Sequence, residues 1–155
     1  FRSHNPDLII LDEPFSGLDP VNANLIKDEI FNLAKQGATI IFSTHRMEQV
    51  EEICDHIVLV NKGRKILDGG VAEIKQQFKK NTFQIEANPS SPIQQTEQFE
   101  ILSHQDNNWE IRCKPDLKTN DLLTYFMNEG KEIYSFRETL PTLNEIFIQL
   151  VEKQK

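Results

Sequence analysis

The stretch Leu8-Ile9-Ile10-Leu11-Asp12-Glu13-Pro14 places two carboxylates directly after four apolar residues. A strand that is apolar on both faces is typical of the buried centre of a parallel sheet. Ligands of such sheets bind beyond the carboxyl ends of the strands, so Asp12 and Glu13 are predicted to lie at a ligand-binding edge. There an aspartate can hold Mg²⁺ through its water shell, and the next carboxylate can orient or deprotonate a water.

Two further motifs accompany this pair of acids. The stretch Ser16-Gly17-Leu18-Asp19-Pro20 follows it closely, and Ser43-Thr44-His45 begins where a second apolar strand pattern at 38–43 ends. A histidine at a strand end can contact a phosphate oxygen, although a lone histidine is more often an ordinary surface residue. Taken alone, an apolar run followed by Asp-Glu is common, and a helix-capping or solvated pair of acids stays open as the alternative. We predict that His4, His56 and His104 are ordinary surface residues without a functional role.

The first half of the chain alternates strand and helix patterns. This alternation predicts a largely parallel sheet flanked by helices. Asp19 and Pro20 supply an N-cap and a first helical residue, and Gly37 is a helix stop. A strand over 57–60, a turn over 61–64 and a returning strand over 65–68 predict a hairpin, and a short helix follows over 71–78.

The second half is predicted to be a small α+β unit. Its last helix has a capping box formed by Thr142 and Glu145, followed by apolar residues at helical spacing. Residues 88–92 and the glutamines after them are predicted to be a linker or an exposed loop. We therefore expect a domain over 1–81 and a second over 82–155. The other predicted elements of the second are strands over 82–86, 99–102, 109–113 and 132–136, and a helix over 121–128 that stops at Gly130.

Composition excludes several classes of function. The 155 residues include 24 Asp plus Glu against 17 Lys plus Arg, a net charge of -7. Nucleic-acid binding needs a basic surface, so DNA and RNA are not expected partners. The longest apolar runs have four residues, whereas a bilayer span needs about 20. Two cysteines and no signal-peptide pattern predict free thiols in a cytoplasmic protein.

With these motifs in this order, residues 1–81 resemble the ATP-binding cassette (ABC) ATPases. On that resemblance Asp12 matches the Walker B aspartate, a Mg²⁺ and nucleotide ligand, Glu13 matches the catalytic glutamate, and His45 matches the catalytic switch histidine. The resemblance implies a partial P-loop NTPase parallel-sheet core followed by a small α+β domain. It also implies that Ser16, Gly17, Leu18 and Asp19 form the family's D-loop, which lies at the bound nucleotide.

The sequence departs from the family pattern in one important respect. None of its six glycines is followed by Lys and then by Ser or Thr. The Walker A loop that cradles the phosphates is therefore missing from this sequence. The glutamine loop and the Ser-Gly-Gly-Gln signature are missing too. In the family these parts precede the Walker B strand, so the chain resembles the C-terminal portion of an ATP-binding subunit, and we expect it to be inactive by itself.

The chain end also carries a resemblance. The stretch Leu140-Pro141-Thr142-Leu143-Asn144-Glu145-Ile146-Phe147 is similar to the C-terminal extension of bacterial exporter ABC ATPases of the sodium and drug efflux group. The alternative is a capped amphipathic helix that packs on the tail's own small sheet.

For an intact subunit, the resemblance implies a homodimer that binds ATP and Mg²⁺ and hydrolyses ATP. Hydrolysis would energise export through a transmembrane permease subunit, with the ATPase on the inner face of the cell membrane. Two alternatives stay open. One is a soluble ABC-family ATPase that is not linked to transport, and the other is a non-catalytic interaction module, which describes the isolated chain better.

Overall fold

The computed structural model describes residues 6–88 and 93–152, and its chain divides into two compact units. Unit 1 comprises Phe1–Ala72 and Thr142–Lys155, and unit 2 comprises Glu73–Pro141. These units divide the chain between residues 72 and 73 and between residues 141 and 142, and the domain boundary expected after residue 81 stays a prediction.

The described residues form eight strands and five helices. The first part contains β1 (Leu8–Asp12), α1 (Pro20–Lys35), β2 (Thr39–Ser43), α2 (Met47–Ile53), β3 (His56–Asn61), β4 (Arg64–Gly70) and α3 (Val71–Gln77). The second part contains β5 (Thr82–Ala87), β6 (Phe99–Gln105), β7 (Asn108–Cys113), α4 (Thr119–Asn128), β8 (Ile133–Thr139) and α5 (Leu143–Glu152).

Strands β1 and β2 form a parallel pair in unit 1. Their register runs from Leu8 opposite Thr39 to Asp12 opposite Ser43. The connection through α1 confirms the predicted strand, helix and strand order. Within the described residues, this pair is the part of the expected parallel sheet that is present.

Strand β1 has the apolar pattern of a strand buried on both faces, but it is not covered on both faces in the described residues. Ile9 and Leu11 are half-buried, whereas Leu8 is 51% exposed and Ile10 is 71% exposed. Alternate side chains of a strand point to opposite faces, and the described residues cover one of these faces. The same alternation continues in β2, where Ile41 is 54% exposed.

Strands β3 and β4 form the predicted hairpin. They pair antiparallel, and the turn between them has positive φ at Lys62 (48°) and Gly63 (73°). Two successive positive φ values are typical of the hairpin turns whose twist matches that of the strands. A register shift lies between Leu59 and Val60.

Helix α5 lies in unit 1, although it comes from the end of the chain. It packs against α2, and its predicted capping box is confirmed. Thr142 N–H donates to Glu145 Oε2 at 2.8 Å, and Glu145 N–H donates to Thr142 Oγ1 at 3.2 Å. The alternative that α5 packs on the sheet of the tail was therefore wrong, because an amphipathic pattern does not specify which partner the apolar stripe meets.

Unit 2 is a small α+β unit that contains the strands and the first helix predicted for 82–155, but not the last helix. In the described residues its antiparallel sheet has four strands in the order β6-β7-β5-β8, and α4 contributes Leu122 and Phe126 to the core. The aromatic residues Trp109 and Phe126 are buried and meet edge to face at 5.8 Å. Most of the predicted 88–92 linker, residues 89–92, lies outside the described residues. The buried core consists of Phe83, Ile85, Ala87, Ile93, Phe99, Trp109, Ile111, Cys113, Leu122 and Phe126.

Two remaining expectations concern thiols and the bilayer. Cys54 and Cys113 are free thiols, and burial raises the pKa of each to about 11. Both thiols are therefore protonated near neutral pH and are poor nucleophiles. Among the helices of the described residues, none is long and apolar enough to cross a membrane.

Candidate functional site

The candidate site begins where the two parallel strands end. Asp12 and Ser43 are the last residues of β1 and β2 and lie opposite each other in the register. The Ser43 hydroxyl donates a hydrogen bond to Oδ1 of Asp12. Parallel strands present their carboxyl ends at one edge of a sheet, and this edge brings together two of the three sequence motifs, the one that contains Asp12 and the one that begins at Ser43.

Glu13 follows the end of β1 by one residue, His45 follows the end of β2 by two, and their side chains contact each other. His45 Nδ1 lies 2.6 Å from Glu13 Oε1, and the His45 backbone N–H donates to the same oxygen at 3.1 Å. The Thr44 hydroxyl lies 3.2 Å from the other carboxylate oxygen, Oε2. The backbone of Glu13 has φ 45° and its N–H donates to the Ser43 carbonyl at 3.1 Å. The turn after β1 thus directs the Glu13 carboxylate toward the segment after β2.

This contact favours the charged form of Glu13. The side-chain hydrogen bond with His45 lowers the pKa of Glu13 from its ordinary value, and it outweighs the opposing effect of desolvation. Glu13 is therefore a carboxylate near neutral pH. Since a carboxylate only accepts hydrogen bonds, Nδ1 of His45 must carry the hydrogen that lies between them.

Thr44 connects the strand end to helix α2. Its Oγ1 accepts from the Arg46 N–H at 3.2 Å, and it lies 3.2 Å from both Glu13 Oε2 and Gln49 Oε1. A hydroxyl has one hydrogen to donate. Thr44 can therefore bond to Glu13 or to Gln49 at a given moment, but not to both.

The segment from Ser16 to Asp19 forms a turn that leads into α1. Ser16 N–H donates to the Glu13 carbonyl at 3.0 Å, and Gly17 has φ 74°, which favours glycine. Before this turn, Phe15 is buried and meets Phe42 of β2 edge to face at 5.9 Å. Ser16, Gly17 and Leu18 are exposed, so a partner or ligand can reach them.

Asp19 acts as the N-cap of α1 that its sequence position predicts. Its Oδ1 accepts from the backbone N–H of Val21 at 2.9 Å and from that of Asn22 at 3.1 Å. The Asn22 N–H is the largest cause that lowers the pKa of Asp19. The Asp19 carboxylate is thus engaged in its own helix, which limits what else it can bind.

The donor set fits a magnesium ion that arrives with a nucleotide. The described residues contain no group of three or more His, Cys, Asp or Glu side chains that could hold a metal ion. Mg²⁺ is usually bound by one or two carboxylates together with waters and substrate phosphates, and not by a protein cage. Asp12, with the neighbouring Ser43 hydroxyl, matches that mode.

Sequence reasoning missed three contributors to this edge. Ser43 and Thr44 were quoted with His45 but received no role, and Gln49 was not considered. The register of two parallel strands would have placed Ser43 beside Asp12. Whether Gln49 can contact Thr44 depends on the residue at which α2 begins, and the sequence pattern does not predict the start of a helix to within one residue.

A scan of family models matches residues 69–151 to the ATP-binding protein DrrA1-3-like, C-terminal domain. The chain belongs to this family. A similar relative is an ABC transporter ATP-binding protein of Alkalihalophilus pseudofirmus, with 49% identity over 156 aligned residues that cover 96% of this chain and 55% of the relative. These matches identify the chain as the C-terminal portion of an ABC ATP-binding subunit.

Two other matches cover about half of the chain. The fluoroquinolones export ATP-binding protein of Mycobacterium tuberculosis is 46% identical over 72 residues, which are 46% of this chain and 24% of that protein. A solved structure of an ATP-binding subunit of an ABC transporter has a TM-score of 0.45 at 36% identity and covers 48% of this chain and 31% of that one. The chain spans about half the length of the first curated relatives that it matches, 50% of one and 55% of another.

Proposed function

We propose that the edge formed by Asp12, Glu13 and His45 is the hydrolytic part of an ATPase site. The observation that carries this proposal is the pair of contacts in which Glu13, held as a carboxylate, bonds both His45 and Thr44 beside the Asp12 strand end. A phosphoryl-transfer site needs a positioned base, a metal ligand and a hydrogen-bonding group near the phosphate. These three residues have the side chains for those roles.

Glu13 would act as the base that orients and deprotonates the attacking water. A carboxylate has about four acceptor positions on its two oxygens. In the structure, Oε1 accepts from two nitrogens of His45, and Oε2 lies within reach of one hydroxyl, that of Thr44. A position on Oε2 is thus available to a water, and the lowered pKa keeps Glu13 in the carboxylate form that can accept a hydrogen bond from that water and orient it.

His45 would contact the terminal phosphate through Nε2. Its side chain is 77% exposed, while Nδ1 is committed to Glu13. In a neutral imidazole with hydrogen on Nδ1, Nε2 only accepts hydrogen bonds. To donate to a phosphate oxygen, His45 must therefore become protonated or release Glu13 and change tautomer, which links phosphate contact to the state of the base.

Asp12 would hold Mg²⁺, through its waters or directly, when ATP is bound. The ion supplies neutralisation of the charge that develops on the phosphate oxygens. The Ser43 hydroxyl orients Asp12 for this task by its hydrogen bond to Oδ1. ATP itself would be gripped mainly by a Gly-Lys-Ser/Thr loop, a motif outside this 155-residue sequence.

In the whole subunit, we propose that hydrolysis energises export through a transmembrane permease, with the ATPase on the inner face of the membrane. The printed name of the Mycobacterium tuberculosis relative, a fluoroquinolones export protein, supports export as the process. A second copy of the subunit would pair at the exposed Ser16 to Leu18 turn, where Ser16, Gly17, Leu18 and Asp19 form the D-loop. A soluble ATPase and a non-catalytic module are the competing functions.

A substitution of Glu13 tests the proposal in a full-length subunit that contains the phosphate loop. Glu13→Gln keeps the shape of the side chain but removes the base. We expect ATP binding to persist and turnover to fall by about 10²- to 10⁴-fold, the usual contribution of a positioned general base. The measurement is steady-state phosphate release together with nucleotide binding by fluorescence.

The matched control is Glu29→Gln, which removes an exposed carboxylate from α1. It should leave the rate within about twofold of the unmodified subunit, because surface substitutions have small effects. If Glu13→Gln also stayed within about threefold, the role of Glu13 as the base would be wrong.

A further inference from the structure

Helix α5 is attached to helix α2 by its first residue. The backbone N–H of Leu143 donates a 2.5 Å hydrogen bond to Oε1 of Glu51, which lies 92 residues earlier in the chain. The two helices also pack against each other. In α5, Leu143 and Ile146 are 2% and 1% exposed. The end of the chain thus returns to the helix that follows His45.

The carboxylate of Glu51 meets a need that the capping box of α5 leaves open. The first N–H groups of a helix lack partners within the helix and carry partial positive charge. In α5, Thr142 accepts hydrogen bonds from the N–H groups of Glu145 (3.2 Å) and Ile146 (3.1 Å). The N–H of Leu143 bonds to Glu51 instead, and hydrogen bonds to a charged acceptor are the stronger kind.

Helix α2 depends on such contacts for its orientation. It has seven residues, and isolated helices shorter than about 12 residues are marginal in water. A second contact comes from α1, where Lys27 pairs with Glu52, the neighbour of Glu51. Two successive glutamates of α2 are therefore tied to two different helices of unit 1.

A short path leads from α2 to the candidate site. The helix begins at Met47, two residues after His45, and Gln49 in its first turn lies 3.2 Å from the Thr44 hydroxyl. That hydroxyl is also within reach of Glu13, and His45 contacts Glu13 directly. A rotation of α2 would therefore change the segment that holds Glu13.

We infer that Glu51 is a positioning residue for the contact between His45 and Glu13, and that it acts by anchoring α2 to the N-terminus of α5. The inference rests on the proposed function, since it is the proposed hydrolysis that uses this contact. Helix α5 is thereby connected through α2 to the strand edge that holds Glu13 and His45.

Amide hydrogen exchange in the 155-residue chain tests the connection without nucleotide. In Glu51→Ala, we expect the amides of Leu143 and His45 to exchange at least about fivefold faster, because both lose a fixed acceptor geometry. Glu51→Gln keeps an acceptor oxygen and should stay within about twofold of the unmodified chain. The matched control, Glu48→Ala, removes an exposed carboxylate from the same helix and should change neither amide.

Three exchange results would overturn the inference. Faster exchange at Leu143 with an unchanged His45 would show that Glu51 anchors α5 only. An equal effect of Glu51→Gln and Glu51→Ala at His45 would assign the effect to charge and not to the hydrogen bond, and an equal effect of Glu48→Ala would remove its specificity. If Glu51→Ala fails to fold, Glu51→Asp replaces it, because the shorter side chain keeps the charge but withdraws from Leu143.

A kinetic arm in a full-length subunit separates the inference from the proposed function. We expect Glu51→Ala to lower kcat by about 3- to 10-fold with KM for ATP within about twofold, and Glu51→Gln to restore kcat, because misplaced groups lose rate more than binding. An active subunit with unchanged kcat in Glu51→Ala would overturn the positioning role. A subunit without any ATPase activity would overturn the proposed function, and the exchange result would then decide the inference.

Discussion

Units 1 and 2 place their apolar side chains differently. In unit 1, Ile10 and Ile41 of the parallel strands are more than half exposed. In unit 2, Ile85, Ile111 and Phe126 have no measurable exposure. All the candidate site residues belong to unit 1. The largest buried core and the candidate site residues therefore lie in different units. Substitutions in unit 2 can test the stability of the core without changing the candidate site.

The largest expected effect concerns the chemistry of unit 1. We expect no steady Mg²⁺-dependent phosphate release from the 155-residue chain. Asp12, Glu13 and His45 can position a metal, a water and a phosphate only when another element holds the nucleotide. The measurement is phosphate release from the purified chain. Steady release that disappears in Glu13→Gln would contradict this expectation and would show that the edge grips ATP unaided.

A pair of isoleucine substitutions tests the difference in packing. Ile111→Ala should lower the free energy of unfolding by about 2–5 kcal/mol, because it leaves a cavity in the core of unit 2. Ile10→Ala should change it by no more than about 0.5 kcal/mol, since its side chain is already 71% exposed.

Urea unfolding provides the measurement, followed by circular dichroism of the helices and strands of both units and by tryptophan fluorescence for unit 2. The sequence has one tryptophan, Trp109, which lies in the core of unit 2. A comparable loss from both substitutions would mean that β1 is covered in solution on the face that the structure leaves open.

Hydrogen exchange compares the two sheets directly. We expect the amides of β5 and β7 to exchange at least about tenfold more slowly than those of β1, because stable cores open less often than exposed sheets. Stronger protection in Leu8 to Leu11 than anywhere in unit 2 would show that unit 1 is the more stable body, and the contrast between the units would have to be dropped.

Local structure could be predicted from the sequence where neighbouring residues determine it. The hairpin, the Asp19 cap and the Thr142 capping box depend on residues a few positions apart, and all three are confirmed. The prediction that Asp12 and Glu13 lie at one edge with His45 followed from strand order, and the structure brings these residues together. Their catalytic roles stay predictions.

Contacts between distant segments could not be predicted in the same way. The apolar stripe of α5 predicted a buried face but not its partner, and the bond from Leu143 to Glu51 joins segments far apart in the sequence. The four apolar residues of β1 predicted burial on both sides, yet burial depends on which other elements are present. Composition and periodicity thus predict which face of a segment is apolar, but only the tertiary structure shows which element covers that face.

The smallest expected effect is a pH dependence confined to the start of α1. Hydrogen bonds from Asn22 and Val21 lower the pKa of Asp19 from its ordinary value of 3.8. A lowered carboxyl pKa stabilises the folded chain fully above the unfolded value, and this stabilisation is lost as the pH falls through the folded value. We therefore expect the amide proton shift of Val21 to titrate with a midpoint below 3.8.

Nuclear magnetic resonance between neutral and strongly acidic pH can follow that titration. The control Asp19→Ser keeps a capping oxygen that does not titrate, so the pH dependence at Val21 should vanish while α1 remains helical. Helix α4 of unit 2 has Lys118 at its N-cap position and no side-chain cap there, and its first turn should not respond to Asp19→Ser. A midpoint at or above the ordinary value would show that Asp19 does not hold the start of α1 in solution, and the exposed turn before it would then be less fixed than the structure indicates.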